Sequence, residues 1–524
     1  MAKKSLIFLL IILAIASFFR LWQLDKIPPG LYPDIAMNGN NALDSLRTHD
    51  FKIFYTDNNG REGMIMWLDA LSFLIFGISV WSIKIASAIF GILTVFGLYL
   101  LTKEILQVTT YKLQATKIAL LASFLLATSF WHTLFSRLGF RAILLPFVLV
   151  FSFYFLFRGF RKKSFWNIIL GGIFFGLGFY TYTSFRMAVL LLFSTLICWL
   201  IIYIKDKQFK KYFLLTATCL LLTFIIALPL GIYFLQNPQD FISRATGVSI
   251  FSQSNPIKAF FVSLIAHLGM FNFYGDGNWR HNFSGAPMLP LPVGIFFLIG
   301  IIISLKNFIL SFKNKDWAVF TVYGFLFSWF FALLLPGVLT YEGIPHALRV
   351  IGVIPIVYIF AALGGYWLYN WFNKKINNKK LLIIACYFLL FCLAYNQFYK
   401  YFFLWGENQN LAEAFTENYV EIGYYLNSLP DNIQKYVIVN EPGSPLYGIS
   451  IPAQTLMFIE STKFGAPRSN YIKFENLDSI KIGVEKTIFT SLYDGRVLDA
   501  LKNQFPGGRM EKTQYFWVYL LNEN

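Results

Sequence analysis

The chain has 524 residues, of which 57% are hydrophobic, 19% aromatic and 14% charged, with a mean hydropathy of +0.57. So apolar a chain of this length excludes a soluble globular enzyme and describes a polytopic, mostly α-helical membrane protein, because only helices satisfy their own backbone groups in lipid over long apolar runs. The net charge of +17 invites a nucleic-acid reading, which the placement of the charges removes.

Apolar runs near the length of a span, about 20 residues, fall at Ser5–Leu24, Trp81–Thr102, Lys117–Ser136, Ala142–Phe157, Phe165–Thr183, Met187–Ile204, Tyr212–Leu235, Leu291–Leu305, Trp317–Pro336, Ala347–Tyr369 and Leu381–Trp405. This predicts about eleven spans. With the N-terminus cytoplasmic, the inner connections are "AKK", "KEILQVTTYKLQATK", "RGFRKK", "KDKQFKK", "KNFILSFKNKD" and "NKKINNKK". Each is rich in Lys and Arg, and their acids are Glu104, Asp206 and Asp316, as the positive-inside rule requires. The basic charge is a topology signal, and no nucleic acid is needed.

The first run is too long for a signal peptide and lacks a small-residue cleavage site before "RLWQLDKIPPG", so it reads as an uncleaved span. A further run, Met64–Ser79, would invert every later basic loop if it crossed, so it is expected in the outer interface. Cys198, Cys219, Cys386 and Cys392 all lie in apolar runs, with no disulfide framework. Outside the membrane this leaves a first loop over 25–80, a long loop over 236–290, short turns, and residues 406–524. There the composition turns polar, and "KYVIVN", "TLMFIE", "KTIFTSL" and "YFWVYLL" read as short strands after a helical "NLAEAFTENYVEIGYYLNSLP". The expectation is a membrane domain over 1–405 and a small extracytoplasmic α/β domain over 406–524.

The polar residues that could carry chemistry collect on this outer side. "GLYPDIAMNGNNALDSL" holds Asp34 and Asn38, four apart and on one face if a helix starts there, with Arg61 and Glu62 later in the same loop. A carboxylate at a membrane surface suits a general base; the plainer reading of Asp34 is a helix N-cap. "SFWHTLFSRLGFRAILLPF" places His132, Arg137 and Arg141 at the outer end of the third span and the start of the fourth. Paired guanidiniums suit phosphate, while the plain alternative is snorkelling toward headgroups. "FYGDGNWRHNFSGAPMLPLP" gathers Asp276, Arg280 and His281 among aromatics, a mixture suited to sugar or phosphate. Asp276 and His281 could ligate a divalent metal, although no third ligand stands at a clear spacing. "TYEGIPHALRVIGVIPIV" adds Glu342, His346 and Arg349, with Arg349 at a helix start where the dipole opposes it. Asp240 and Arg244 have the spacing of an i,i+4 ion pair.

In this order, "YPDIAMNG", "REGMIMWLDALSFLIFG", "SVWSIKIASAIFGILTVFGLYLL", "SRLGFRAILLP", "RHNFSGAPML" and "PHALRVIGVIP" resemble the GT-C glycosyltransferases. The likeness is to bacterial relatives of the dolichyl-phosphate-mannose protein mannosyltransferases and aminoarabinose transferases, and runs from the first span through Tyr369. It implies a polyprenyl-phosphate sugar donor, a lipid, glycan or protein acceptor, and inverting transfer at the outer face of the cell membrane. It also implies Asp34 as base, and from the paired guanidiniums the expectation is that Arg137, Arg141 and Arg349, with His346, surround the leaving phosphate. The family reads Asp-Glu where this chain has Asp34 followed by Ile35. Two other functions fit a multi-pass chain: a transporter or flippase of a lipid-linked saccharide, and a non-catalytic relative that binds one. Against transport, the central spans carry almost no charge and show no internal repeat.

Overall fold

The computed structural model describes residues 3–204, 207–443, 445–446, 448–483, 485–493 and 495–522. The inner-loop acid Asp206 lies outside them. The chain divides into two compact units, Met1–Trp22 with Ser87–Trp405, and Gln23–Ala86 with Gly406–Asn524.

The first unit is helical. Among the described residues nine helices of the chain are long and apolar enough to cross a membrane, and ten if one bent pair counts as a single span. They fall on nine of the eleven expected runs, and the two exceptions have local causes. The run Lys117–Ser136 is broken into Lys112–Ala127 and Phe130–Leu138, bent by 58°. Ser129 at the break is extended (φ −62°, ψ 125°), and its hydroxyl accepts from the His132 N–H at 3.2 Å, so it starts a new helix. The carbonyls stranded at the end of the preceding helix find another donor: the fully buried Arg20 guanidinium reaches Ala127 O at 2.7 Å and Leu126 O at 3.2 Å. The run Phe165–Thr183 becomes a helix of only 14 residues, Phe165–Gly178, followed by a 3-10 turn over Thr183–Met187. Close backbone approach fixes other crossings. A Cβ on Gly300 would run into the Phe360 carbonyl and one on Gly364 into that of Phe296, so the helices Leu291–Lys313 and Ile354–Lys375 meet through glycine.

The second unit joins the whole of the expected first outer loop to the C-terminal residues. "PDIAMNGNNALDSLRT" forms the helix Pro33–Thr48, with proline at its start and Asp34 in its first turn. An antiparallel pair, Phe54–Tyr55 with Arg61–Glu62, leads into the helix Met64–Phe76, whose 13 residues are too few to span a bilayer.

The C-terminal part is the expected α/β arrangement. Five strands stand in the order Asn470–Lys473, Gln434–Val439, Thr487–Ser491, Trp517–Leu521, Arg509–Lys512. The first three are parallel and the last two antiparallel. Alternate residues face opposite layers: Val437, Val439 and Ile488 pack with Ile422, Leu426 and Leu456, and Ile438 and Phe489 with Val497 and Leu501. One expected strand is wrong. "TLMFIE" lies inside the helix Gln454–Phe464, entered from a 3-10 turn that contains Pro452. Its residues Gln454 to Leu456 and Phe458 to Ser461 are all buried, so no polar face marks the helical period in sequence. The expected helix before the sheet is two, Asn410–Ala414 and Glu417–Ser428, parted at Thr416 with φ 52°.

Candidate active site

Within the second unit, the helix Pro33–Thr48 carries the acidic motif and is held by Arg61. Asp34 accepts from the Asn58 amide through Oδ1 at 2.9 Å, and Oδ2 has no protein donor among the described residues. The N-cap position belongs to Tyr32, so Asp34 is not the cap its sequence setting allowed. Asn38 and Asn41 are one turn apart, each 3% exposed, and their side-chain oxygens accept from Arg61 Nη1 and Nη2, both at 2.6 Å. Arg61 is itself 1% exposed, so one buried guanidinium fork fixes two carboxamides. Glu62 follows Arg61 in the strand and is buried. Ile35 is 1% exposed, a packing position rather than a second acid beside Asp34.

Within the first unit, the long outer loop and the turn before the tenth expected span come together. Asp276 Oδ2 lies 3.1 Å from His281 Nδ1 and 3.9 Å from His346 Nδ1, and accepts the Ala347 N–H at 2.8 Å. Asp276 Oδ1 accepts the Asn278 N–H at 2.8 Å. The two imidazole rings lie 4.7 Å apart. A third histidine supports them from behind: His267 Nδ1 faces Ser263 O at 2.8 Å and so carries the proton, leaving Nε2 to accept the His346 N–H at 3.1 Å. Burial, with smaller contributions from His281, Arg349 and His267, holds the His346 imidazole well below the ordinary histidine range. It is neutral at physiological pH, the form a metal ligand needs. The ligand atoms of Asp276, His281 and His346 all lie within 4.8 Å of one another, a two-histidine, one-carboxylate set that fits a zinc-like divalent ion.

The cations are already engaged. Arg349 donates to Thr340 Oγ1 at 2.9 Å, to Glu342 O at 2.9 Å and to the Glu342 carboxylate at 3.2 Å. Arg141 sits over the Tyr182 ring at 5.4 Å and is 8% exposed. Arg137 is fully buried, donates to Phe19 O at 3.1 Å, and lies over the Tyr401 and Phe402 rings at 5.4 and 5.1 Å. His132 is fully buried as well, its Nδ1 facing the Arg20 guanidinium at 2.8 Å. Its contacts are those of a structural group at the helix break. Arg280 begins a turn through its backbone N–H, bonded to Asn278 Oδ1. Asp240 accepts from the Tyr233 hydroxyl at 2.6 Å, and the Arg244 side chain of its expected pair lies outside the described residues.

Residues 63–233 match the dolichyl-phosphate-mannose-protein mannosyltransferase family. No curated protein matches the sequence. Among solved structures, the chain is similar to ArnT from Cupriavidus metallidurans, at 12% identity over 99% of this chain and 98% of that one. The TM-score is 0.58 for the apo state and 0.56 for the form bound to undecaprenyl phosphate. The likeness is one of fold, shared with ArnT along nearly the whole of both chains. The chain is also similar in fold to the archaeal oligosaccharyltransferase AglB from Archaeoglobus fulgidus, solved with an inhibitory peptide and a dolichol-phosphate, at 11% identity. Its TM-score is 0.53, over 99% of this chain and 74% of that one.

Several supporting roles in this chain escaped the sequence. His346 completes the Asp276 and His281 set from 65 positions beyond His281, a distance along the chain at which no local spacing rule applies. Arg20 carried a signal that was passed over, an arginine inside the first apolar run. Gln454, which receives the Asn40 amide, carried none.

Proposed function

We propose that this GT-C glycosyltransferase moves a sugar from a polyprenyl-phosphate donor to an acceptor hydroxyl at the extracytoplasmic face of the membrane, with inversion and with Asp34 as base. The observation that carries the reading is the state of the Asp34 carboxylate. One oxygen is positioned by Asn58, and the other has no protein donor among the described residues and is available to accept the acceptor's proton. As that proton leaves, the acceptor oxygen attacks C1 and the phosphate departs with the electrons of the breaking bond. The phosphate then needs stabilisation of charge, for which Arg141 and Arg349 with His346 are the candidates. The undecaprenyl phosphate in ArnT and the dolichol-phosphate in AglB support this donor class. A divalent ion held by Asp276, His281 and His346 would fix the outer loop against the turn before Arg349 and add positive charge there.

The test is Asp34→Asn in the full chain, assayed with radiolabelled polyprenyl-phosphate sugars. The amide keeps the shape, but turns its oxygen toward the Asn58 donor and leaves an N–H₂ where the substrate proton should go. Turnover should fall by about 10²–10⁴ with donor binding retained. Undiminished turnover removes Asp34 as base. Donor binding with no turnover by the wild-type protein on any acceptor would favour the non-catalytic reading.

A further inference from the structure

We infer that the cleft between the helices Pro33–Thr48 and Gln454–Phe464 is a saccharide-binding site that seats the acceptor, an inference that rests on the transferase reading and narrows its acceptor class. The cleft has a volume of about 420 Å³, and its walls come from both helices and from the strand segment at Tyr55.

Its chemistry follows from two asparagines whose orientations are fixed by partners of one kind only. A guanidinium can only donate, so Arg61 must face the Asn41 oxygen, and the Asn41 N–H₂ points elsewhere. That N–H₂ has no protein acceptor among the described residues, although Asn41 is 3% exposed and lines the cleft. Its neighbour shows the reverse. The Asn40 amide donates to the backbone and side-chain oxygens of Gln454 at 3.0 and 2.9 Å, which turns its own oxygen away from Gln454, where it has no protein donor among the described residues. A vacant donor and a vacant acceptor on two adjacent residues that both line the cleft match a hydroxyl group, which both gives and takes a hydrogen bond, and vicinal hydroxyls match the pair better still. The charged lining residues cancel, Asp44 and Asp50 against Arg47 and Lys52, so nothing in the cleft selects for an ion.

The register along the helix says how long the ligand is. Asp34, Asn38, Asn41 and Ser45 recur at i, i+4, i+7 and i+11, one face of the helix. Asn41 lies seven residues beyond Asp34, about 10 Å at 1.5 Å per residue. That exceeds one sugar ring, so the ring held at Asn40 and Asn41 is not the one whose hydroxyl meets Asp34. The acceptor has at least two sugar units.

The experiment uses the fluorescently labelled full chain in phosphatidylcholine nanodiscs, presented to arrays of neutral mono- to hexasaccharides and of unmodified peptides. The expected result is binding to disaccharides or longer, weakened about tenfold by Asn41→Ala. Since Asn41→Ala also strips Arg61 of a partner, Met457→Trp is the second variant. It fills the cleft from a half-buried position outside that network and should abolish saccharide binding, with undecaprenyl phosphate binding as the folding control. Preference for peptides, binding to no saccharide, or saccharide binding unaffected by Met457→Trp overturns the inference. Asp34→Asn separates the two readings: loss of turnover with saccharide binding intact supports both, and intact turnover removes the base while leaving the cleft standing.

Discussion

Arg61→Ala is the substitution on which the acidic helix should depend most. In the native chain the Arg61 fork makes two charge-assisted bonds of 2.6 Å, one to Asn38 and one to Asn41, all three groups being 3% exposed or less. Bonds of this kind contribute about 1.5–3 kcal/mol each, and truncation leaves both carboxamide oxygens buried without donors, so the loss should be about 3–6 kcal/mol. Arg61→Lys places one ammonium near both oxygens but loses the fork geometry, and should cost less than half as much. The cost should appear locally. In hydrogen exchange on the full chain in nanodiscs, the amides of Met37 to Ser45 should exchange by about two to four decades faster in Arg61→Ala. The helices of the first unit should be unchanged. Turnover should fall with it, because the face that carries Asp34 loses its anchor. Native exchange rates across that helix in Arg61→Ala would refute the argument.

Three further outcomes follow from the same geometry. Placing a second acid beside Asp34 with Ile35→Glu should lower stability by about 3–5 kcal/mol without raising turnover, because the position is 1% exposed and deeply packed; a faster, stable enzyme would contradict this. The full chain dialysed against zinc should retain one ion by atomic absorption, and lose it in His346→Ala and in Asp276→Asn; retention by either variant would remove the two-histidine, one-carboxylate site. In the C-terminal sheet, burial first and the Glu460 carboxylate second push the Tyr471 phenol well above the ordinary tyrosine range. A raised folded value means that the stabilisation is complete below about pH 10 and is lost as the pH climbs through the folded value. Tyrosinate absorbance should therefore show Tyr471 ionising only with unfolding at high pH, and Tyr471→Phe should remove that component.

The sequence was most informative where one physical quantity dominated. Apolar length alone located the nine helices that, among the described residues, are long and apolar enough to cross a membrane, because lipid leaves a chain no alternative to helices of that size. The break at Ser129 was hidden because it lies inside a run that is apolar for most of its length, and what bends the chain is one hydroxyl and a distant arginine. "TLMFIE" misled for the opposite reason: its β-branched and aromatic residues are buried all round, so period could not overrule propensity. In the candidate site, the i,i+4 relation of Asp34 and Asn38 was readable, since helical register is local. That Arg137 spends its charge on a carbonyl and two rings was not, since Tyr401 and Phe402 lie more than 260 residues away.

Arg20 bears on how the protein is made. A guanidinium in the first apolar helix has no acceptors of its own beyond Ala16 O until Leu126 and Ala127 have been synthesised. Alone in lipid it would be costly: an arginine at the centre of a span costs about 2.5–3.5 kcal/mol on insertion scales, and one in the last turn, as here, a part of that. The first helix should therefore linger at the insertion channel while some hundred further residues emerge, and release when the bent pair arrives to receive it. Site-specific crosslinking of stalled nascent chains reads this order directly: Arg20→Leu should release early, and equal release times would show that the arginine plays no part in the timing of assembly.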